Sequence, residues 1–343
     1  MSSPALITQL QRMDATDRTL AQSIFGYAEP EQISAQVVNL CRSQFNQEIT
    51  ACLFWEVSVS FTIGVQLERG DRAVIKFRSP ANMTLEMLQA VCWVQQALAE
   101  QGFPAPPLRL LPMQQQDYFV SIEEFLDIGE NGNAHGPEVR QAMATGLAQL
   151  IQLVQSLAAP SGFPLSRFRS SALWEKPHNV LFDFEGTAAG AEWIDEIADR
   201  AKTQFLEDTS PLILGHMDWS VKNMRIAHGK LSAVYDWDSL RLENERVILG
   251  NALKGFLVTW YVDAGAIVPT PAEVADFLQI YESMRSAPFT TTDRQTIFAA
   301  FLYSMAYTAR CEHAIDPIGT QFSGSFREAL QNYRSYQACF LSV

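Results

Sequence analysis

Residues 212–240 read LILGHMDWSVKNMRIAHGKLSAVYDWDSL. Short apolar runs at 212–215, 224–226 and 233–236 are joined by turn-like residues, as in a small strand pair. The stretch places His216, Asp218, Asn223, Asp236 and Asp238 within 23 positions. Oxygen-bearing side chains on loops at short strand ends suit a magnesium–phosphate site. Mg2+ is a hard cation that takes one or two protein oxygens and completes its shell with phosphates and water.

Working outward, residues 53–67 alternate apolar and polar (Leu53, Trp55, Val57, Val59, Phe61, Ile63, Val65, Leu67), which predicts a strand with one face buried. Glu68-Arg69-Gly70-Asp71 then turns the chain, and RAVIKF (72–77) returns as a second strand of an antiparallel hairpin. Apolar residues at helical spacing predict a helix over 83–101, stopped by Gly102 and the prolines at 104, 106 and 107. A strand at 118–126, a glycine-bearing connector (127–137) and a helix from 138 to 157 follow. Further helices are expected near 190–206, 246–263, 271–285, 292–312 and 324–341. Residues 1–48 read as a helical leader, 49–126 as a small sheet-bearing lobe and 127–343 as a larger, mainly helical one.

In this context the motif His-x-Asp-x-x-x-x-Asn (His216, Asp218, Asn223), followed by Asp236-Trp237 in YDWD, resembles the catalytic core of the aminoglycoside phosphotransferase family. The branch it is most similar to holds the choline and homoserine kinase-like proteins. Ala73-Val74-Ile75-Lys76 resembles the lysine strand of kinases, and the exit Gly102-Phe103-Pro104-Ala105-Pro106 is also of that type. The resemblance implies an α+β, bilobal protein-kinase-like fold, with a small antiparallel-sheet N-lobe and a larger helical C-lobe. It also implies transfer of the γ-phosphoryl of ATP or GTP to a hydroxyl of a small molecule, in a site between the lobes.

By that resemblance Asp218 is the base at the acceptor hydroxyl, Asn223 and Asp236 hold Mg2+, and Lys76 grips the α and β phosphates. His216 is assigned to supporting the loop, and Trp219 and Trp237 to packing. The helix after the lysine strand should supply a glutamate to Lys76. Glu86 is the choice by position; Gln89 lies one turn further on, and Glu100 is too close to the helix end. The segment 56–64 (EVSVSFTIG) has one late glycine in place of a glycine-rich phosphate loop, so Ser58 and Ser60 are the expected phosphate donors there. The missing glycines favour a rival reading, a pseudokinase-like nucleotide or small-molecule binding module. The intact Asp218, Asn223 and Asp236 favour turnover, and a phosphate-ester hydrolase is a third alternative.

The rest of the chain narrows the partners. Its 343 residues carry 25 Lys and Arg against 38 Asp and Glu, a net charge of −13, with no basic run, which argues against nucleic acid or an anionic membrane. Divided at 127, the two parts carry −5 and −8. The acidic larger part suits a cationic acceptor such as an aminoglycoside or amino alcohol. Five cysteines, an odd number without a CxxC pair, suggest neither a disulfide framework nor a zinc ribbon and suit a reducing compartment. The opening MSSPALITQLQRMDATDRTL has no basic-then-apolar signal pattern, so a soluble, cytoplasmic protein is expected, of undefined oligomeric state. No GxSxG, HExxH, GxxxxGK[ST] or GxGxxG motif occurs. Phe182-Asp183-Phe184-Glu185-Gly186 mimics a DFG triplet but precedes the His216 motif, the wrong order. Trp174 to Phe184 and Trp193-Ile194-Asp195 are candidates for the acceptor side. Arg310-Cys311-Glu312-His313 reads as packed helix and not as a metal site.

Overall fold

The computed structural model describes residues 3–81, 83–175, 177, 182–257, 266–319 and 323–341. The chain divides into two units, Met1–Leu126 and Asp127–Val343. The first is a five-stranded antiparallel sheet with helices on both faces. Strands β1 (Ile49–Val57), β2 (Ser60–Leu67), β3 (Arg72–Arg78), β4 (Leu108–Gln115) and β5 (Tyr118–Glu124) lie in the order β1-β2-β3-β5-β4.

Three helices precede the sheet: α1 (Pro4–Leu10), α2 (Ala15–Phe25) and α3 (Pro30–Phe45). Their ends are written locally. Proline opens α1 and α3, Asp14 and Asp17 form a capping box on α2, and Gly26 and Asn46 close α2 and α3 in left-handed conformation. Leu6, Leu10, Ile24, Phe25, Ile33, Val37 and Cys41 pack on the face of the sheet formed by the odd-numbered residues of β2 and β3, against Phe61, Ile63, Val65, Ile75 and Phe77. Each large side chain so buried contributes about 2 kcal/mol. Residues of the expected leader therefore form part of this unit's core. The even face of β3 points the other way, towards α4 (Leu85–Glu100), whose Leu88 and Cys92 pack on Phe119.

The alternating run 53–67 is two strands and not one, because Ser58 and Val59 turn the chain between β1 and β2. Val57 pairs with Phe61, so parity survives the turn and the periodicity conceals it. Strand β4 carries no alternating pattern and contains Pro112, which an edge strand tolerates. Sequence periodicity gave no sign of it.

The second unit is mainly helical: α5 (Pro137–Val154), α6 (Glu192–Leu206), α7 (Glu245–Ala252), α8 (Pro271–Ser283), α9 (Thr291–Ile315), α10 (Phe326–Gln331) and α11 (Arg334–Leu341). Helix α9 is its axis, packed against α6, α7, α10 and α11. The expected helix 246–263 ends at Ala252, and its portion 258–263 lies outside the described residues. The expected helix 324–341 is two helices, broken at Asn332. Two small antiparallel strand pairs interrupt the helices. Strand β6 (Ile213–His216) pairs with β9 (Leu240–Glu243), and β7 (Met224–Ala227) pairs with β8 (Lys230–Val234). The expectation was a single strand pair without β9. No helix among the described residues is long and apolar enough to cross a membrane.

Candidate active site

The β7–β8 pairing brings the ends of the motif together. Met224 pairs with Val234, and one residue further out the Tyr235 N–H donates to the Asn223 carbonyl at 2.8 Å. Asn223 and the residue preceding Asp236 thus sit opposite each other, although they are far apart in sequence. The Asn223 amide donates to both the Asp218 carbonyl (2.9 Å) and the Asp218 carboxylate (3.0 Å). With its amide hydrogens turned to Asp218, its side-chain carbonyl oxygen is the atom left to ligate a metal.

Asp218 is 38% exposed and receives the Lys222 ammonium on the same oxygen, Oδ2, at 2.8 Å. Burial of the surrounding loop pushes its pKa up, but Lys222, His216 and the Asn223 hydrogen bond outweigh that and bring it down to about 2. Lys222 was inside the quoted motif, four residues after Asp218, and helical-turn spacing was the signal that could have found it. Lys254, which follows α7, had no such signal. Its ammonium lies 5.7 Å from the centre of the Tyr307 ring, burial lowers its pKa, and Asp218 is the largest charge opposing that shift.

His216 is fully buried between Trp219 and Trp237, whose rings meet it edge-on at 5.8 and 5.5 Å. Its Nε2–H donates to the Tyr235 carbonyl at 2.8 Å and its Nδ1 accepts from the Ser239 hydroxyl at 3.0 Å, which defines the tautomer. Burial holds its pKa below the ordinary value. His216 therefore ties the Asp218 loop to the Asp236 segment. Asp236 is exposed, with backbone φ 60° and ψ 45°. That left-handed conformation costs a non-glycine residue on the order of 1 kcal/mol, and such strain gathers at functional sites.

Asn223 and Asp236 present hard oxygens, the donor type that suits Mg2+ bound partly by phosphates. Among the described residues, no three His, Cys, Asp or Glu side chains form a metal cage of their own. A metal sharing its shell with a nucleotide needs none.

In the first unit, Lys76 is buried on β3 and its ammonium is 2.7 Å from Oε1 of Glu123 on β5. The expected partner Glu86 is instead exposed in the first turn of α4, beside the cap residue Thr84. Gln89 donates to the Pro112 carbonyl, and Glu100 accepts from Gln96. Sequence spacing gives Glu123 no role, because its meeting with Lys76 depends on strand order. Ser58 is exposed in the β1–β2 turn, its N–H donating to the Ser60 carbonyl (3.0 Å), and the Ser60 hydroxyl lies 3.4 Å from that of Thr62. The late glycine, Gly64, lies opposite Phe54 in the sheet. A Cβ there would come within 2.4 Å of the Phe54 ring, so ring packing accounts for it.

The remaining motifs fall outside the Asp218 loop. Asp183 closes a surface turn by accepting from Gly186 N–H at 2.8 Å. His313 Nε2 donates to the Ala189 carbonyl, and Glu312 accepts the N–H groups of Phe326 and Arg327. Trp174 donates to Asp195 (2.8 Å) and stacks on Tyr303 at 5.3 Å, while positions 176 and 178–181 of the same stretch lie outside the described residues.

The fold is α+β and protein-kinase-like, of the kind found in small-molecule phosphotransferases. The chain is similar to an amicoumacin kinase in complex with AMP-PNP, Ca2+ and Ami, with a TM-score of 0.66 at 12% identity over 89% of this chain and 92% of that one. It is also similar to a microcompartment-associated aminopropanol kinase (TM-score 0.59, 14% identity, 90% and 95% covered). A third structure is the Plasmodium vivax ethanolamine kinase (TM-score 0.56, 12% identity, 99% and 97% covered). No protein-family model matches the chain, and no curated protein matches it in sequence.

Proposed function

We propose that the protein transfers the γ-phosphoryl of ATP or GTP to a hydroxyl of a small molecule. The observation that carries this reading is the Asn223 side chain, whose amide is spent on Asp218 while its backbone carbonyl holds the segment leading to Asp236. A site evolved only to bind nucleotide has no need for a carboxylate oriented in this way.

In this reading Lys76 neutralises the nucleotide phosphates, and Asn223 and Asp236 hold the magnesium. The metal would supply charge stabilisation at the phosphates. Asp218 accepts a hydrogen bond from the acceptor hydroxyl and aims its oxygen at the γ-phosphorus. The new O–P bond forms as the bond to the bridging oxygen breaks, and the nucleoside diphosphate leaves. A carboxylate with a pKa of about 2 is a weak base. It takes the proton late, once bonding to phosphorus has made the hydroxyl acidic, so its main contribution is orientation. Lys222, on the same oxygen, is placed to offset charge on the transferred group.

The solved neighbours include kinases named for aminopropanol and ethanolamine. With the negative charge of the second unit, this puts amino alcohols and other amine-bearing alcohols first in an acceptor screen. Five free cysteines suit a reducing, cytoplasmic setting.

The test is thermal stability of wild type and Asp236→Ala with ATP or GTP, each with and without Mg2+. Nucleotide at a hundredfold over its Kd adds about 2.7 kcal/mol to the native state. A magnesium-dependent rise in Tm in wild type, lost in Asp236→Ala, is expected. No shift with either nucleotide overturns the reading.

A further inference from the structure

We propose that Glu123, held by Gln95, is the positioning residue of Lys76, so that its acidic partner comes from the adjacent strand and not from α4. The inference rests on the nucleotide role proposed above for Lys76. Three observations lead to it. The ion pair is short and dry: Nζ to Oε1 is 2.7 Å, with the side chains 11% and 5% exposed. A carboxylate so enclosed needs partners for both oxygens, and Gln95 from α4 supplies the second by donating to Oε2 at 3.0 Å. The same Gln95 amide nitrogen donates to the Pro106 carbonyl at 2.6 Å.

The Pro106 contact explains why this helix position is an amide. An –NH2 group has two hydrogens, and here one faces a carbonyl and the other a carboxylate. A glutamate at position 95 would set its own oxygens against both. The acid therefore sits on β5 and the helix supplies the donor. Strand register completes the arrangement: Lys76 pairs with Ser121, and Glu123, two residues on, shares that face of the sheet. The neighbouring cation Arg78 donates to Ser121 at 2.9 Å, fixing the row from its other end. Because β3 and β5 are hydrogen-bonded neighbours, the pair is set by the sheet. A displacement of α4 would remove the Gln95 contact and leave Lys76 with Glu123.

The experiment compares wild type, Glu123→Gln, Gln95→Met and Glu86→Gln by two measurements. The first is the rate at which Lys76 is acetylated by acetic anhydride at fixed pH, read by mass spectrometry on the folded protein. The second is calorimetric affinity for AMP-PNP with Mg2+. Glu123→Gln is close to isosteric and should free the amine from its carboxylate partner, raising acetylation of Lys76 roughly tenfold. AMP-PNP affinity should fall by about the same factor. Gln95→Met should move both in the same direction by less. If Glu123→Gln fails to fold, Gln95→Met carries the acetylation test alone, and a Lys76 rate equal to wild type in it overturns the proposal. So does a Glu86→Gln variant that frees Lys76 while Glu123→Gln does not. Wild type that binds no AMP-PNP, yet whose Lys76 answers to Glu123→Gln, sinks the phosphotransferase reading and upholds the pairing.

Discussion

Asn251 on α7 donates its side-chain amide to the Met217 carbonyl at 2.6 Å, one residue before Asp218. Its own carbonyl oxygen accepts the Ser304 hydroxyl of α9 at 2.6 Å. The Asp218 loop is thus anchored through α7 to the axial helix of the second unit. Asn251→Leu keeps the side-chain size but leaves two buried polar groups without this partner, which costs about 1–3 kcal/mol each at most. Urea unfolding is expected to show a lower midpoint with an unchanged slope. A midpoint equal to wild type would mean that the anchor is dispensable.

Asp218→Asn should lower kcat by about a hundredfold or more while leaving affinity for AMP-PNP near that of wild type. Lys222→Met acts differently. Removing the ammonium 2.8 Å from Asp218 lets the carboxyl hold its proton more tightly, so its pKa rises from about 2. The acid limb of the kcat–pH profile should move to higher pH. A profile unmoved by Lys222→Met excludes Asp218 as the group whose ionisation the reaction requires.

Buried neutral His216 makes stability pH-dependent. Its pKa is below the ordinary 6.5 in the folded protein, so the unfolded chain binds the additional proton as the pH falls through that value. Stability from this group is complete above about pH 7.5 and declines as pH drops below about 6.5 towards the folded pKa. Tm measured from pH 8 to 5 should show that decline in wild type and a flatter profile in His216→Gln.

Gly250 marks the closest approach of α7 to α9. A Cβ there would lie 2.4 Å from the Ile297 carbonyl oxygen and 2.8 Å from the Phe301 nitrogen, both backbone atoms that cannot rotate away. In an open helix, Gly→Ala gains about 1 kcal/mol. Here overpacking should win, with a net loss of about 1–3 kcal/mol in denaturant unfolding. A stabilised Gly250→Ala protein would show that the helices can part without cost.

Elements governed by short-range spacing were legible in the sequence alone. The β2–β3 hairpin, the α4 helix with its Gly102 stop, α5 and the His216–Asp236 segment follow from periodicity, caps and turn residues within a few positions of one another. The protein-kinase-like fold was legible for the same reason, since the His-x-Asp-x-x-x-x-Asn loop, the DW segment and the AVIK strand are local patterns in a set order. Tertiary structure decided what local patterns do not encode. Strand order put Glu123 beside Lys76 and left Glu86 in solvent at a helix end. Edge placement made a strand of the proline-bearing 108–115, and long-range pairing supplied β9 to β6. Helix packing brought Asn251 to Met217 and Lys254 close enough for its charge to reach Asp218. Periodicity encodes which face of an element is buried. Which partner that face meets is decided only when loops close and strands order, and there the charged and amide groups of each unit find their contacts.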